Sequence, residues 1–177
     1  KLPEGYEFIN GSENGVIASD NRSKITIGKQ TIEVGGIVVA ATLKDSTLAM
    51  IYSDNSFALY DIKKNKYMLK EYLPESLAND VRITNPVFLT NIVLFPTLNG
   101  RVLVVSLKQN KIVKTIVVDA NGTFNNIIYL SVVNDTLIAA TSNKIVVVGT
   151  NDLNIKDYEI RDVTVHNNDI YLATIDG

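Results

Sequence analysis

Twelve consecutive residues, Asn55-Ser56-Phe57-Ala58-Leu59-Tyr60-Asp61-Ile62-Lys63-Lys64-Asn65-Lys66, line up without a gap on Gly100-Arg101-Val102-Leu103-Val104-Val105-Ser106-Leu107-Lys108-Gln109-Asn110-Lys111. The offset is 45 residues, and each segment is an apolar run, a Lys/Asn turn and the start of a second run. A third copy, Asn143-Lys144-Ile145-Val146-Val147-Val148-Gly149, follows 43 residues after the second with a different turn. Another apolar run precedes each copy, at 48–51, 93–95 and 137–140. In shorter form, 15–19 followed by 24–27 parallels 136–140 followed by 144–147, and 170–174 begins one more copy. A unit of this size cannot close a core alone, so each copy must bury its faces against its neighbours.

The unit reads as β-structure. Strand-length runs fall at 37–41, 47–52, 56–61, 66–72, 91–95, 101–107, 112–118, 127–133, 135–141, 144–148 and 170–174. Val and Ile make up 40 of the 177 residues, and β-branched side chains suit a pleated surface better than a helix. The 19 Asn residues fall largely between the runs, where tolerance of left-handed backbone suits turns. Only 74–81 hints at a helical turn, and its apolar face is too short for a stable helix, so a loop insertion is expected there. The absence of helical periodicity excludes helical arrays, and a leucine-rich repeat would be shorter. The pattern therefore predicts an all-β chain of β-propeller blades, each of three to four antiparallel strands. Residues 1–177 hold about four blades and the start of a fifth, as a single propeller domain or part of a larger ring. Blades buried on both faces explain the nearly continuous apolar runs 102–105 and 145–148. In this register Val104 and Val147 are expected at equivalent buried positions. A two-sheet adhesion sandwich is the alternative, and the gapless offset is harder to explain by it.

The run 99–113 resembles a quinoprotein-type (PQQ-like) propeller repeat. That family's pattern is a glycine turn, a strand with a small or acidic end, a Thr-Gly-Lys-like turn, then a strand beginning with Trp. Residues 53–69 are similar, with Asp61 at the acidic position and Asn65-Lys66 in the turn. The resemblance runs over 15–176 in degenerate form. Tyr67 and Ile112 stand near the place of the docking Trp, and Asn65 and Asn110 replace the turn glycine. Trp-less repeats of this kind are similar to those of the propeller lipoprotein of the outer-membrane β-barrel assembly machinery. The resemblance implies a non-enzymatic scaffold for protein–protein interaction in a bacterial envelope, periplasmic or outer-membrane associated. It also leaves room for a lipid anchor upstream of Lys1. A quinone- or sugar-handling propeller enzyme is the runner-up. It would need acidic, basic and aromatic groups converging on the central channel, where the expected strands look apolar.

No catalytic, cofactor or metal residue is assigned. The single histidine, His166, has no second His or Cys beside it, and reads as a turn-flanking residue. Asp119-Ala120-Asn121-Gly122 opens like a calcium loop, but its glycine comes early and Leu130 stands where a bidentate Glu is required. Gly35-Gly36 lacks the phosphate-cradling pattern and suits a blade crossing. A net charge of −2 argues against a nucleic-acid partner, and no apolar stretch is long enough for a transmembrane helix. Lys63, Lys64, Lys66 and Lys70, echoed by Lys108, Lys111 and Lys114, are expected to protect strand edges from aggregation. The longest irregular connection, 72–86, is the candidate site for a protein partner, through Tyr72, Glu75, Leu77, Asp80 and Arg82. It is expected on the same face as the turns at 53–55 and 98–100.

Overall fold

The computed structural model describes residues 2–76, 79–121 and 123–176. Every regular element among them is a β-strand. Blade 1 comprises β1 (Glu7–Ser12), β2 (Gly15–Ser19), β3 (Lys24–Ile27) and β4 (Gln30–Glu33), and blade 2 comprises β5 (Val38–Lys44), β6 (Thr47–Tyr52), β7 (Phe57–Asp61) and β8 (Lys66–Glu71). Blade 3 holds β9 (Val87–Phe88), β10 (Ile92–Pro96), β11 (Arg101–Ser106) and β12 (Lys111–Val117). Blade 4 holds β13 (Tyr129–Val133), β14 (Thr136–Ala140), β15 (Lys144–Val148) and β16 (Leu153–Asp157). Two further strands, β17 (Ile160–His166) and β18 (Asp169–Thr174), pair as the start of blade 5. Each sheet is an antiparallel meander in chain order. First strands of neighbouring blades approach one another, β1 against β5 and β5 against β9, so they surround the axis and fourth strands form the rim. This is the architecture of propeller blades, four complete and a fifth begun, and not a two-sheet sandwich.

The repeat offsets predict which way each side chain points. Phe57 and Leu59 on β7, Val102 and Val104 on β11, and Ile145 and Val147 on β15 all face the following blade. Their alternates Ala58 and Tyr60, Leu103 and Val105, and Val146 and Val148 face the preceding one. Because side chains alternate along a strand, a one-residue error would have exchanged these sets. The rings of Phe57 and Phe95 meet at 4.9 Å in the layer between blades 2 and 3. One expectation needs correction: Val104 is buried, but Val147 is only half-buried. Val147 faces blade 5, whose described part is two strands and covers less of blade 4 than a full sheet would.

The turns between third and fourth strands show the local chemistry that fixes this register. Asp61 Oδ1 accepts the amides of Lys63 and Lys64, both at 3.0 Å, and Ser106 Oγ accepts the amide of Gln109 at 3.2 Å. Asn65 and Asn110 close these turns at φ 52° and 49°, a conformation Asn adopts more readily than branched residues. Just beyond, Tyr67 packs toward blade 1 and donates to the Val34 carbonyl (2.8 Å), while Ile112 packs toward blade 2. Both thus dock a blade against its predecessor. The described residues at 74–76 and 79–81 form no helix. No helix among the described residues is long and apolar enough to cross a membrane.

Candidate functional site

The two faces of the ring carry different connections. Links between blades and turns between second and third strands lie on one face, here the link face. Turns joining first to second and third to fourth strands lie on the other, the turn face. The placement of the 72–86 link is fixed by hydrogen bonds to its neighbours. The Pro74 carbonyl accepts from Asn55 Nδ2 (2.7 Å) in the blade 2 turn and from Asn99 Nδ2 (3.3 Å) in the blade 3 turn. Asn55 is buried at φ 64°, and its Oδ1 also accepts the Leu98 amide at 2.8 Å, stitching blade 2 to blade 3.

From the rim this link runs inward and ends across the mouth of the ring. The Asn85 carboxamide oxygen accepts the Ala41 amide (3.0 Å), and the Pro86 carbonyl accepts from Thr42 Oγ1 (2.7 Å), both on β5. Asp80 donates its amide to Asn126 Oδ1 (2.6 Å), and Asn126 Nδ2 returns a bond to the Arg82 carbonyl (2.8 Å). Arg82 Nε donates to Asp80 Oδ1 (2.9 Å), and Arg82 Nη2 to Asp80 Oδ2. Its Nη1 reaches the carbonyls of Ile160 (2.9 Å) and Arg161 at the start of β17. A connection between blades 2 and 3 is therefore strapped to blades 4 and 5.

Of the five residues predicted for partner binding, Asp80 and Arg82 are engaged within the chain, whereas Tyr72, 71% exposed, and Glu75 face solvent. Leu77 lies outside the described residues. Clamping Asp80 and Arg82 turns the residue between them outward, and Val81 is 98% exposed. Sequence reasoning missed Val81, Asn55 and Asn126. Nothing in their local sequence distinguishes a buried, bridging Asn from the many turn asparagines.

The ion pair sets the acid behaviour of the strap. Hydrogen bonds from Arg82 hold the Asp80 carboxyl below its ordinary range, against a smaller opposing effect of burial, and Arg82 is raised in return. The folded state thus favours ionised Asp80. Its contribution is complete above the ordinary carboxylate value of about 4 and is lost as pH falls through the lowered folded value. Melting temperatures of wild type and Asp80→Asn are expected to differ at about pH 6 and to converge as pH falls well below the ordinary carboxylate value. A constant gap across that range would show that the carboxylate charge does not hold the strap.

Beside the link from blade 1 to blade 2, burial and a hydrogen bond to Tyr67 push the buried Tyr52 hydroxyl far up, while Tyr67 donates to the Val34 carbonyl. Lys70 Nζ lies 4.6 Å from the Tyr52 ring centre and 5.9 Å from that of Tyr72, which immobilises the stem beside the exposed ring. His166 ends β17 in an exposed turn opposite Asp169, consistent with a turn-flanking residue. Gly35 and Gly36 lie in the crossing from blade 1 to blade 2. No group of three or more His, Cys, Asp or Glu among the described residues is arranged to hold a metal ion.

No protein-family model matches the chain. The plasminogen-binding protein PgbB of Helicobacter pylori, from strains J99 and 26695, is 34% identical over 142 residues, 78% of this chain and 26% of the relative. The chain thus spans about a quarter of the length of the curated relatives it matches. Among solved structures, BamB from Moraxella catarrhalis is similar with a TM-score of 0.80 at 13% identity, over 97% of this chain and 58% of that one. The computationally designed Ika8 protein gives a TM-score of 0.69 at 14% identity, over 97% of this chain and 56% of that one. At these identities the likeness is one of fold, and it is the all-β propeller architecture that the blade topology shows independently.

Proposed function

We propose that residues 1–177 act as one domain of a non-enzymatic β-propeller that binds proteins in a bacterial envelope, in a periplasmic or outer-membrane-associated role. One observation carries this reading. Each of the four inter-blade links exposes a large apolar side chain: Ile37, Tyr72 with Val81, Phe124 and Tyr158. Surface apolar residues scattered singly need no explanation, but one on every link places exposed apolar groups all round one face, where loops can meet a partner. Tyr72, Glu75 and Leu77 touch that partner, while Asp80 and Arg82 hold the loop in the presenting conformation. The plasminogen-binding designation of PgbB supports a protein-binding role. The capped turns at Asp61 and Ser106, closed by Asn65 and Asn110, support degenerate quinoprotein-type repeats.

The test is a pull-down from envelope extract, with plasminogen as a defined ligand in a parallel arm. A Tyr72→Ala, Val81→Ala double variant is expected to lose binding by about 30-fold or more, the effect of losing one interface hot spot. A Lys63→Ala, Lys108→Ala variant is expected to bind as wild type, and both are expected to keep wild-type melting. Loss with the lysine variant alone would move the protein-binding site to the turn face and overturn this assignment.

A further inference from the structure

The arginines of this chain are confined to one face, whereas lysines occur on both. All four arginines, Arg22, Arg82, Arg101 and Arg161, lie in link-face loops or at the link-face ends of strands. The outer turns of blades 1, 2 and 3, on the opposite face, carry only lysines: Lys29, then Lys63, Lys64 and Lys66, then Lys108 and Lys111. All six are exposed. Asp61 is the single acidic residue within these outer turns, where it pairs with Lys64 at 3.3 Å, and the adjoining inner turns add Glu13 and Asp45, so the cations of blades 1–3 still outnumber the acids on this face. Among the described residues the other five form no salt bridge. A chain with a net charge of −2 thus concentrates unpaired positive charge along one arc of its rim.

Edge protection explains only part of this arc. Lys114, in the middle of the outermost strand β12, stands where a charge blocks strand addition. Lys29, Lys63, Lys64 and Lys108 sit in turns, beyond the edges they would protect. Blade 4 makes the same point in reverse. Its outer strand β16 exposes Leu153 and Ile155, yet the turn before it carries Asp152 and no lysine.

The composition also selects the partner. Protein interfaces are depleted in Lys and anchored by aromatic residues and Arg. Here the arginines lie on the other face, and none of the exposed aromatic side chains lies in these turns. A lipid headgroup surface requires no anchor, because charge near an anionic bilayer suffices. Corresponding turns of successive blades are related by the ring, so their tips share one plane, which suits a flat partner. We propose that the turn-face rim of blades 1–3 is a docking surface for an anionic lipid bilayer, contacted by Lys29, Lys63, Lys66, Lys108 and Lys111.

Co-sedimentation with vesicles tests this, comparing pure phosphatidylcholine with an equal mixture of phosphatidylcholine and phosphatidylglycerol at low ionic strength. Wild type is expected to partition onto the mixed vesicles only, and to be released as added salt shortens the screening length. A Lys63→Gln, Lys108→Gln variant is expected to partition about 25-fold less, at about fivefold per lysine. The charge-matched Lys24→Gln, Lys156→Gln variant, altered at exposed positions toward the link-face ends of β3 and β16, is expected to retain nearly full binding. Equal partition onto the two vesicle types, or equal loss with both variants, would overturn the proposal. Capture by polyglutamate through Lys63 and Lys108 without vesicle binding would overturn it in favour of an acidic protein partner.

Discussion

Replacing Val104 with Asp is expected to unfold the protein, whereas the same change at Val147 is expected to lower its melting temperature only modestly. The two positions are equivalent in the repeat, 43 residues apart, and both face the following blade. Their surroundings differ. Val104 is sealed between blades 3 and 4 with Leu94, Val102, Ile127, Ala139 and Val146. A carboxylate there loses most of its water, with only the exposed Lys114 across the strand pair to offset it, at a cost of up to several kcal/mol, against a total stability of about 5–15 kcal/mol for an ordinary domain. Val147 borders an opening of about 210 Å³ lined in part by Ile145, Asn154, Ile170 and Leu172, through which a carboxylate can stay hydrated. Thermal or urea melts of the two variants separate the cases. Equal destabilisation would mean that blade 5 seals blade 4 as completely as blade 4 seals blade 3.

Gly100→Ala is expected to cost about 3 kcal/mol or more, roughly three times as much as Gly35→Ala. Both glycines have positive φ, +76° and +64°, so both substitutions pay about 1 kcal/mol for the backbone conformation alone. A Cβ on Gly35 meets nothing within 4 Å. A Cβ on Gly100 would stand 1.8 Å from the carbonyl oxygen of Asp119, a backbone atom that cannot rotate away. The Gly100 carbonyl also accepts the amides of Val118 (2.9 Å) and Asp119 (3.0 Å), so the blade 3 turn and the following link are joined there. For a chain of this size the melting temperature should fall by about 6–12 °C for Gly100→Ala and about 2–4 °C for Gly35→Ala. Equal shifts would show that the link yields easily at Asp119.

The blades were legible because burial on both faces forces long apolar runs, and a fixed period exposes them to self-comparison. Strands 102–105 and 145–148 are of this kind. The strands that escaped notice share a different environment. β16 is exposed at every position, and Glu7–Ser12 and Ile160–His166 are innermost strands interrupted by polar residues. An exposed rim or axis strand has no apolar alternation to reveal it. The 72–86 link stood out by length, but length says nothing of where side chains go. Asp80 and Arg82 read as a mixed-charge surface pair, yet they close a contact with a carbonyl 78 residues downstream. No local pattern encodes a contact of that separation.

The strap also changes how the blades depend on one another. A row of blades that touch only their neighbours is nearly one-dimensional, and its ends can open without disturbing the middle. The bond from Arg82 to Ile160 joins the second inter-blade connection to the last described sheet, so blade 5 cannot separate without releasing that connection. Such a contact closes a long loop, and its entropy is recovered only once blades 3 and 4 stand between the two ends. It is therefore expected to form after the blades it spans. Removing it with Arg82→Ala is then expected to speed unfolding, measured by denaturant jump, with little change in the folding rate.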